Sequence, residues 1–149
     1  MKKKIIGYTL GSFDLFHIGH LNILKKAKEQ CDYLIVGINS DETIMALKNK
    51  VPIIPFDERC EIVRAIKYVD EVIRVDVPAK YQNGTDYNIR RSADIVFSGD
   101  DHKDDPDWQE LIKYKETHGG KVVMFPYTKT TSSTIIREVL NERVKTDKK

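Results

Sequence analysis

Five short runs rich in β-favouring residues recur along the chain, each followed by a stretch with helical periodicity, and this alternation restricts the fold more than any other feature. The runs are IIGYTL at 5–10, DYLIVGI at 32–38, VDEVIRV at 69–75, DIVFSG at 94–99 and KVVMF at 121–125. Helical stretches lie at 20–30, 41–48, 57–67, 87–92, 107–118 and 133–143. A strand that returns through a helix to the next strand pairs parallel and crosses over right-handed. The expected class is therefore α/β, a Rossmann-like doubly wound parallel sheet of about five strands with helices on both faces.

At 149 residues the chain suits one domain with a substantial core, since chains of this size bury roughly 70% of their extended surface. The expected domain covers 1–140, and 141–149, which is charged and poor in apolar residues, reads as a frayed tail. With 25 basic against 23 acidic residues, the net charge of +2 gives no global reason to expect nucleic acid or a membrane as partner. Cys31 and Cys60 lack zinc or redox spacing and read as reduced thiols. The basic MKKK start leads into an apolar run too short for a signal or membrane segment, so the cytoplasm is the expected compartment.

Residues 11–20 read GSFDLFHIGH, and they fall where the first strand ends and the first helix begins. Ligands of open α/β sheets bind at such junctions, and helix starts offer free N–H groups to anions. His17 and His20, three residues apart, share a helix face. One reading is a metal pair, but zinc needs three or four protein ligands, and His102 and His118 have no matching spacing. A second has the imidazoles and helix N–H groups converge on phosphate oxygens, with Gly19 letting them approach the backbone. The plain alternative is a helix-start residue and a packed histidine.

GSFDLFHIGH resembles the [GT]xFDxxHxGH signature of the nucleotidyltransferase superfamily, and in particular of the cytidylyltransferases that act on phosphorylated alcohols. Three further segments follow in order. KYVDEVIRV at 67–75 is similar to the family's RYVDEVI, SGDDH at 98–102 to its GDDW, and PYTKTTSSTIIRE at 126–138 to its RTEGISTT. By length and layout the likeness is to the members whose acceptor is glycerol 3-phosphate.

The resemblance implies transfer of CMP from CTP to an alcohol phosphate, giving a CDP-alcohol and pyrophosphate, with Mg²⁺ or another divalent cation as cofactor and a homodimer as the assembly. It implies that His17 and His20 are catalytic and contact the triphosphate, while Thr9, Leu10 and Phe13 shape the nucleotide cleft. For Asp14 two readings stand: a Mg²⁺ ligand, or the cap of the turn before the helix. By the same likeness Lys48 and Lys50 in ALKNKVPIIP reach the phosphates and Arg59 in PFDER is catalytic, the alternative being a solvated basic loop. Asp101 carries over as a nucleotide contact and Lys67 as the acceptor contact. The run TKTTSST holds six hydroxyls in seven positions. Capping explains one of them; the rest, with the free N–H groups of the last helix, form a second anion site. Ser132, Ser133 and Thr134 are its candidates, with Tyr127 and Thr128 nearer the base.

Tyr127 stands where the family has arginine, with Lys129 beside it as a substitute charge, and Thr130 replaces its glycine. Lys67 replaces an arginine, keeping the charge without the bidentate fork, and His102 replaces the tryptophan of GDDW. These departures bear on the acceptor more than on the reaction. Two rivals remain: an adenylyltransferase using ATP and a sugar (heptose) phosphate, and a non-catalytic nucleotide-sensing module.

Overall fold

The computed structural model describes residues 3–76, 85–100, 103–126 and 132–147. Among the described residues, five parallel strands form one sheet: β1 (Ile6–Gly11), β2 (Tyr33–Asn39), β3 (Glu71–Val75), β4 (Ile95–Gly99) and β5 (Lys121–Phe125). Their order is β3-β2-β1-β4-β5. The chain winds outward from β1 on one side, then returns to the other side at β4. The switch point thus lies between β1 and β4, where a crevice opens at the carboxyl ends of the strands.

The helices are α1 (Ile18–Glu29), α2 (Asp41–Lys48), α3 (Phe56–Arg64), α4 (Thr85–Ser92), α5 (Pro106–His118) and α6 (Ser133–Asp147). Two apolar clusters show that both sheet faces are covered, as expected. Leu24 and Ala27 of α1 and Cys60 and Val63 of α3 pack with Val36, Ile38, Phe97 and Phe125 on one face. Trp108 and Leu111 of α5 pack with Tyr8 and Val96 on the other. Each such fully buried large side chain contributes roughly 1.5–3 kcal/mol. On this second face Gly37 is required, because a Cβ there would lie 2.3 Å from the Tyr8 hydroxyl. That hydroxyl donates to buried Asp86 at 2.6 Å, and Arg90, 2.8 Å from the same carboxylate, stacks on Trp108, which fastens α4 to the central strand.

Strand register is locked at the opposite, amino-terminal edge by three aspartates. Asp32 accepts from the N–H of Ile5, Asp94 from Ile6 and Asp70 from Leu34, each at 2.8 Å. Helix limits differ from the periodicity by one residue at several ends and by more at four: α4 begins at Thr85, not at 87, and three others have a visible cause. α1 begins at Ile18, not at 20, because His17 caps it. α3 ends at Arg64, and tighter i→i+3 bonds at Ala65, Ile66 and Val69 replace the expected helical turn to 67. α6 continues past 140 and 143 to Asp147, a polar segment extending a helix already nucleated.

Candidate active site

The β1–α1 loop turns sharply because Phe13 and Leu15 adopt left-handed backbone angles, φ 53° and 54°. Such angles are costly for residues with a Cβ, and burial of the Phe13 ring, 5% exposed in the core, offsets the cost. Gly11 makes room for that ring, since a Cβ would lie 2.8 Å from it. The turn delivers His17 to the start of α1.

His17 caps α1 by accepting the N–H of Gly19 on Nδ1 at 3.0 Å, and its own N–H donates to Nδ1 of His20 at 3.2 Å. The rings stack with centroids 3.9 Å apart. An Nδ1 that accepts a backbone N–H carries no proton, so in the neutral ring Nε2 is the donor. Burial lowers the pKa of both histidines, that of His20 to about 4, with the neighbouring His17 and Lys48 adding to the effect and Asp14 opposing it. Both rings are neutral near pH 7 and each has one N–H left to give.

Two cationic segments face them. Lys48 ends α2, and the left-handed C-cap Asn49, φ 51°, reverses the chain so that Lys50 reaches the same wall. At the start of α6, Ser132 accepts the N–H of Ile135 at 3.1 Å, which is the expected cap. Ser133 donates to the carbonyl of Asp14 at 2.7 Å. A cavity of about 300 Å³ is lined by Thr9 to Phe13, His17, Gly19, His20, Lys48, Lys50, Ser132 to Thr134 and Arg137. No described residue lining it is acidic, so it suits a polyanion. Within it Thr9 is fixed by a bond from its hydroxyl to the Phe97 carbonyl at 3.1 Å.

A model of the cytidylyltransferase-like family matches residues 8–139. The chain belongs to the cytidylyltransferase-like family. It is 36% identical over 137 residues to glycerol-3-phosphate cytidylyltransferase of Bacillus subtilis, covering 91% of this chain and 95% of that one. It is 32% identical over 147 residues to FAD synthase of Thermococcus sibiricus, covering 97% and 96%. It is 34% identical over 142 residues to the bifunctional protein HldE of Geobacter sulfurreducens, spanning 92% of this chain and 27% of that protein. Among solved structures, the lipopolysaccharide core biosynthesis protein of Thermoplasma volcanium superposes with a TM-score of 0.66 at 26% identity, over 87% of this chain and all of that one.

As a cytidylyltransferase-like protein the chain is a nucleotidyltransferase enzyme. Several expected site residues nonetheless fall elsewhere. Arg59 does not face the cavity. Its fully buried guanidinium donates to the carbonyls of Ile54 at 2.8 Å, Ser12 at 2.6 Å and Asn39 at 2.9 Å, and pairs with Asp41. With four of its five N–H donors engaged and its side chain fully buried, it braces the cavity wall from behind. Lys67 precedes β3 and so lies at the amino-terminal edge of the sheet, away from this cavity, with its ammonium 5.3 Å above the Tyr68 ring. Asp14 is tied to two distant segments of the chain. Its carboxylate accepts from the N–H groups of Ile53 at 2.8 Å and Ile54 at 2.9 Å and from Arg137. Burial would raise its pKa, but these donors outweigh burial and hold it below the ordinary value. Asp101, His102, Tyr127, Thr128, Lys129 and Thr130 lie outside the described residues. Arg137 escaped the sequence reading; its position one turn after the Ser-Thr run, on the same face as Ser133 at i, i+4 spacing, was the available signal.

Proposed function

We propose that this enzyme transfers CMP from CTP to an alcohol phosphate, with glycerol 3-phosphate as first acceptor, releasing pyrophosphate. One observation carries the reading: the described cavity wall presents imidazole N–H donors, lysines, an arginine and a helix start, and no carboxylate that could act as a base. Such a wall suits a nucleophile that is already ionised, as a phosphate is at neutral pH. An oxygen of the acceptor phosphate bonds to the α-phosphorus in line, and the bond from that phosphorus to the bridging oxygen breaks. The electron pair leaves with pyrophosphate. The Nε2–H groups of His17 and His20 stabilise the charge that develops around the α-phosphorus, and Lys48, Lys50, Thr134, Arg137 and the N–H groups at the start of α6, which the Ser133 hydroxyl ties to the Asp14 carbonyl, hold the rest of the triphosphate. Catalysis then comes from positioning and fixed electrostatics.

A divalent cation would supply charge neutralisation on the phosphates. Asp14, which lines a smaller pocket adjoining the cavity, already accepts from three donors, and no group of three metal-ligating side chains occurs among the described residues. The described residues thus offer no ready protein cage, and the reading assigns Mg²⁺ to the phosphate oxygens of CTP. A homodimer is part of the same reading, and light scattering of the purified protein tests it.

The likeness to FAD synthase and HldE favours a second reading, adenylyl transfer to a phosphate acceptor. Cytosine selection is assigned to Tyr127 and Thr128, because a site built on hydrogen bonds strands polar groups when the wrong base enters, each costing roughly 1–3 kcal/mol. Pyrophosphate release with CTP, ATP and UTP at limiting concentration, with glycerol 3-phosphate as acceptor and product mass as a second readout, decides between them. CTP is expected to give the highest kcat/KM and a CDP-glycerol product. ATP as the better donor overturns the cytidylyl reading, and absence of pyrophosphate with every donor and acceptor favours a sensor.

A further inference from the structure

Asp14 is 4% exposed and touches both cationic walls of the cavity. Its carboxylate receives Ile53 and Ile54 of the lysine-bearing loop, 39 and 40 residues away, together with Arg137 of α6. Its carbonyl receives the Ser133 hydroxyl, 119 residues away. The loop has little else to hold it in place: Pro52 is buried, but Val51 and Ile53 are 71% and 54% exposed. Arg59 braces the same loop from behind through the Ile54 carbonyl.

We infer that Asp14 is a positioning residue that couples the two phosphate-binding walls, fixing Lys50 relative to the start of α6, and that it does not serve as a metal ligand. This rests on the reading of the cavity as a triphosphate site. An ionised carboxylate has acceptor sites only, which suits three converging donors. An asparagine of the same size brings an NH₂ that opposes one backbone N–H or Arg137. Asp14→Asn therefore releases the loop and α6 together.

The experiment measures equilibrium binding of CTP, with ATP as a second probe, to the wild type, Asp14→Asn, Lys50→Ala and the double variant, without acceptor. Asp14→Asn is expected to weaken triphosphate binding about tenfold or more, the scale of hydrogen bonds to a charged group. Lys50→Ala should then add less than about twofold on that background, since Lys50 rides on the backbone segment that Asp14 holds and sites coupled through a backbone shift are not additive. The magnesium concentration for half-maximal activity should stay at the wild-type value. Independent losses that multiply, or a raised magnesium requirement, overturn the inference. A ligand-free arm separates this from the proposed function: amide exchange should speed up in Asp14→Asn at Ile53 and Ile54 and also at Ile135 and Ile136 of α6. Unchanged exchange at the α6 amides overturns the coupling even if the wild type binds neither triphosphate. Should Asp14→Asn fail to fold, Arg137→Met serves in its place, and it should loosen α6 while leaving Ile53 and Ile54 protected; full protection of α6 in that variant also overturns the coupling.

Discussion

The backbone N–H of His17 donates to Nδ1 of His20, and the two rings stack 3.9 Å apart, so one histidine is oriented by the other's main chain. Because each Nδ1 is an acceptor, both Nε2–H groups are free for an anion. His17→Asn separates the two jobs of that residue. Asparagine is a good N-cap, so the melting temperature should stay within a few degrees of wild type, while loss of one preorganised donor should lower kcat by ~10²-fold or more. Wild-type turnover would reduce His17 to a cap.

Acid should weaken the fold through His20. Its pKa is lowered from 6.5 to about 4, so between those values the unfolded chain binds a proton that the folded chain does not. Stability thus falls as pH drops through that window, by up to roughly 3 kcal/mol. Urea unfolding at pH 7 and pH 4.5 should show the loss in wild type and a much smaller one in His20→Gln. Equal losses in both would assign the acid sensitivity to other groups.

Arg59 should behave as a brace. Arg59→Lys keeps the charge but cannot reach three carbonyls and Asp41 at once. Stranding buried acceptors costs on the order of 3 kcal/mol, and a fall in melting temperature of about 10 °C is expected for a chain of this size. A variant with unchanged melting and lost activity would restore Arg59 to direct catalysis.

Lys67→Ala should leave kcat and the acceptor KM within about twofold of wild type, as expected of an exposed surface site. Steady-state kinetics with glycerol 3-phosphate varied at saturating CTP measures this. A large rise in acceptor KM would mean that this edge of the sheet meets a site through another copy of the chain.

Ser133→Ala and Thr134→Ala should weaken CTP binding more than CDP binding, each by several-fold for one lost hydrogen bond, about 1 kcal/mol. Titration calorimetry with both nucleotides checks it. Equal affinities for all three proteins would leave the Ser133 hydroxyl with its bond to the Asp14 carbonyl alone and Thr134 without a part in nucleotide binding.

The five strands, the six helices and the strand-to-helix position of GSFDLFHIGH were legible in the sequence because each depends on local periodicity and on residues close in the chain. The same holds for a hydroxyl cap at the start of the last helix, which Ser132 supplies to the N–H of Ile135 three positions on. Only the tertiary structure decided the work of Arg59, Asp14 and Lys67. Arg59 meets Ser12 and Asn39, 47 and 20 residues away, and Asp14 meets Ile53 and Arg137, 39 and 123 away. A charged side chain in a motif looks the same in sequence whether its donors face a substrate or buried carbonyls. Burial decides between them, because a buried donor or acceptor must find a partner, and that partner comes from whichever distant segment the sheet order brings beside it.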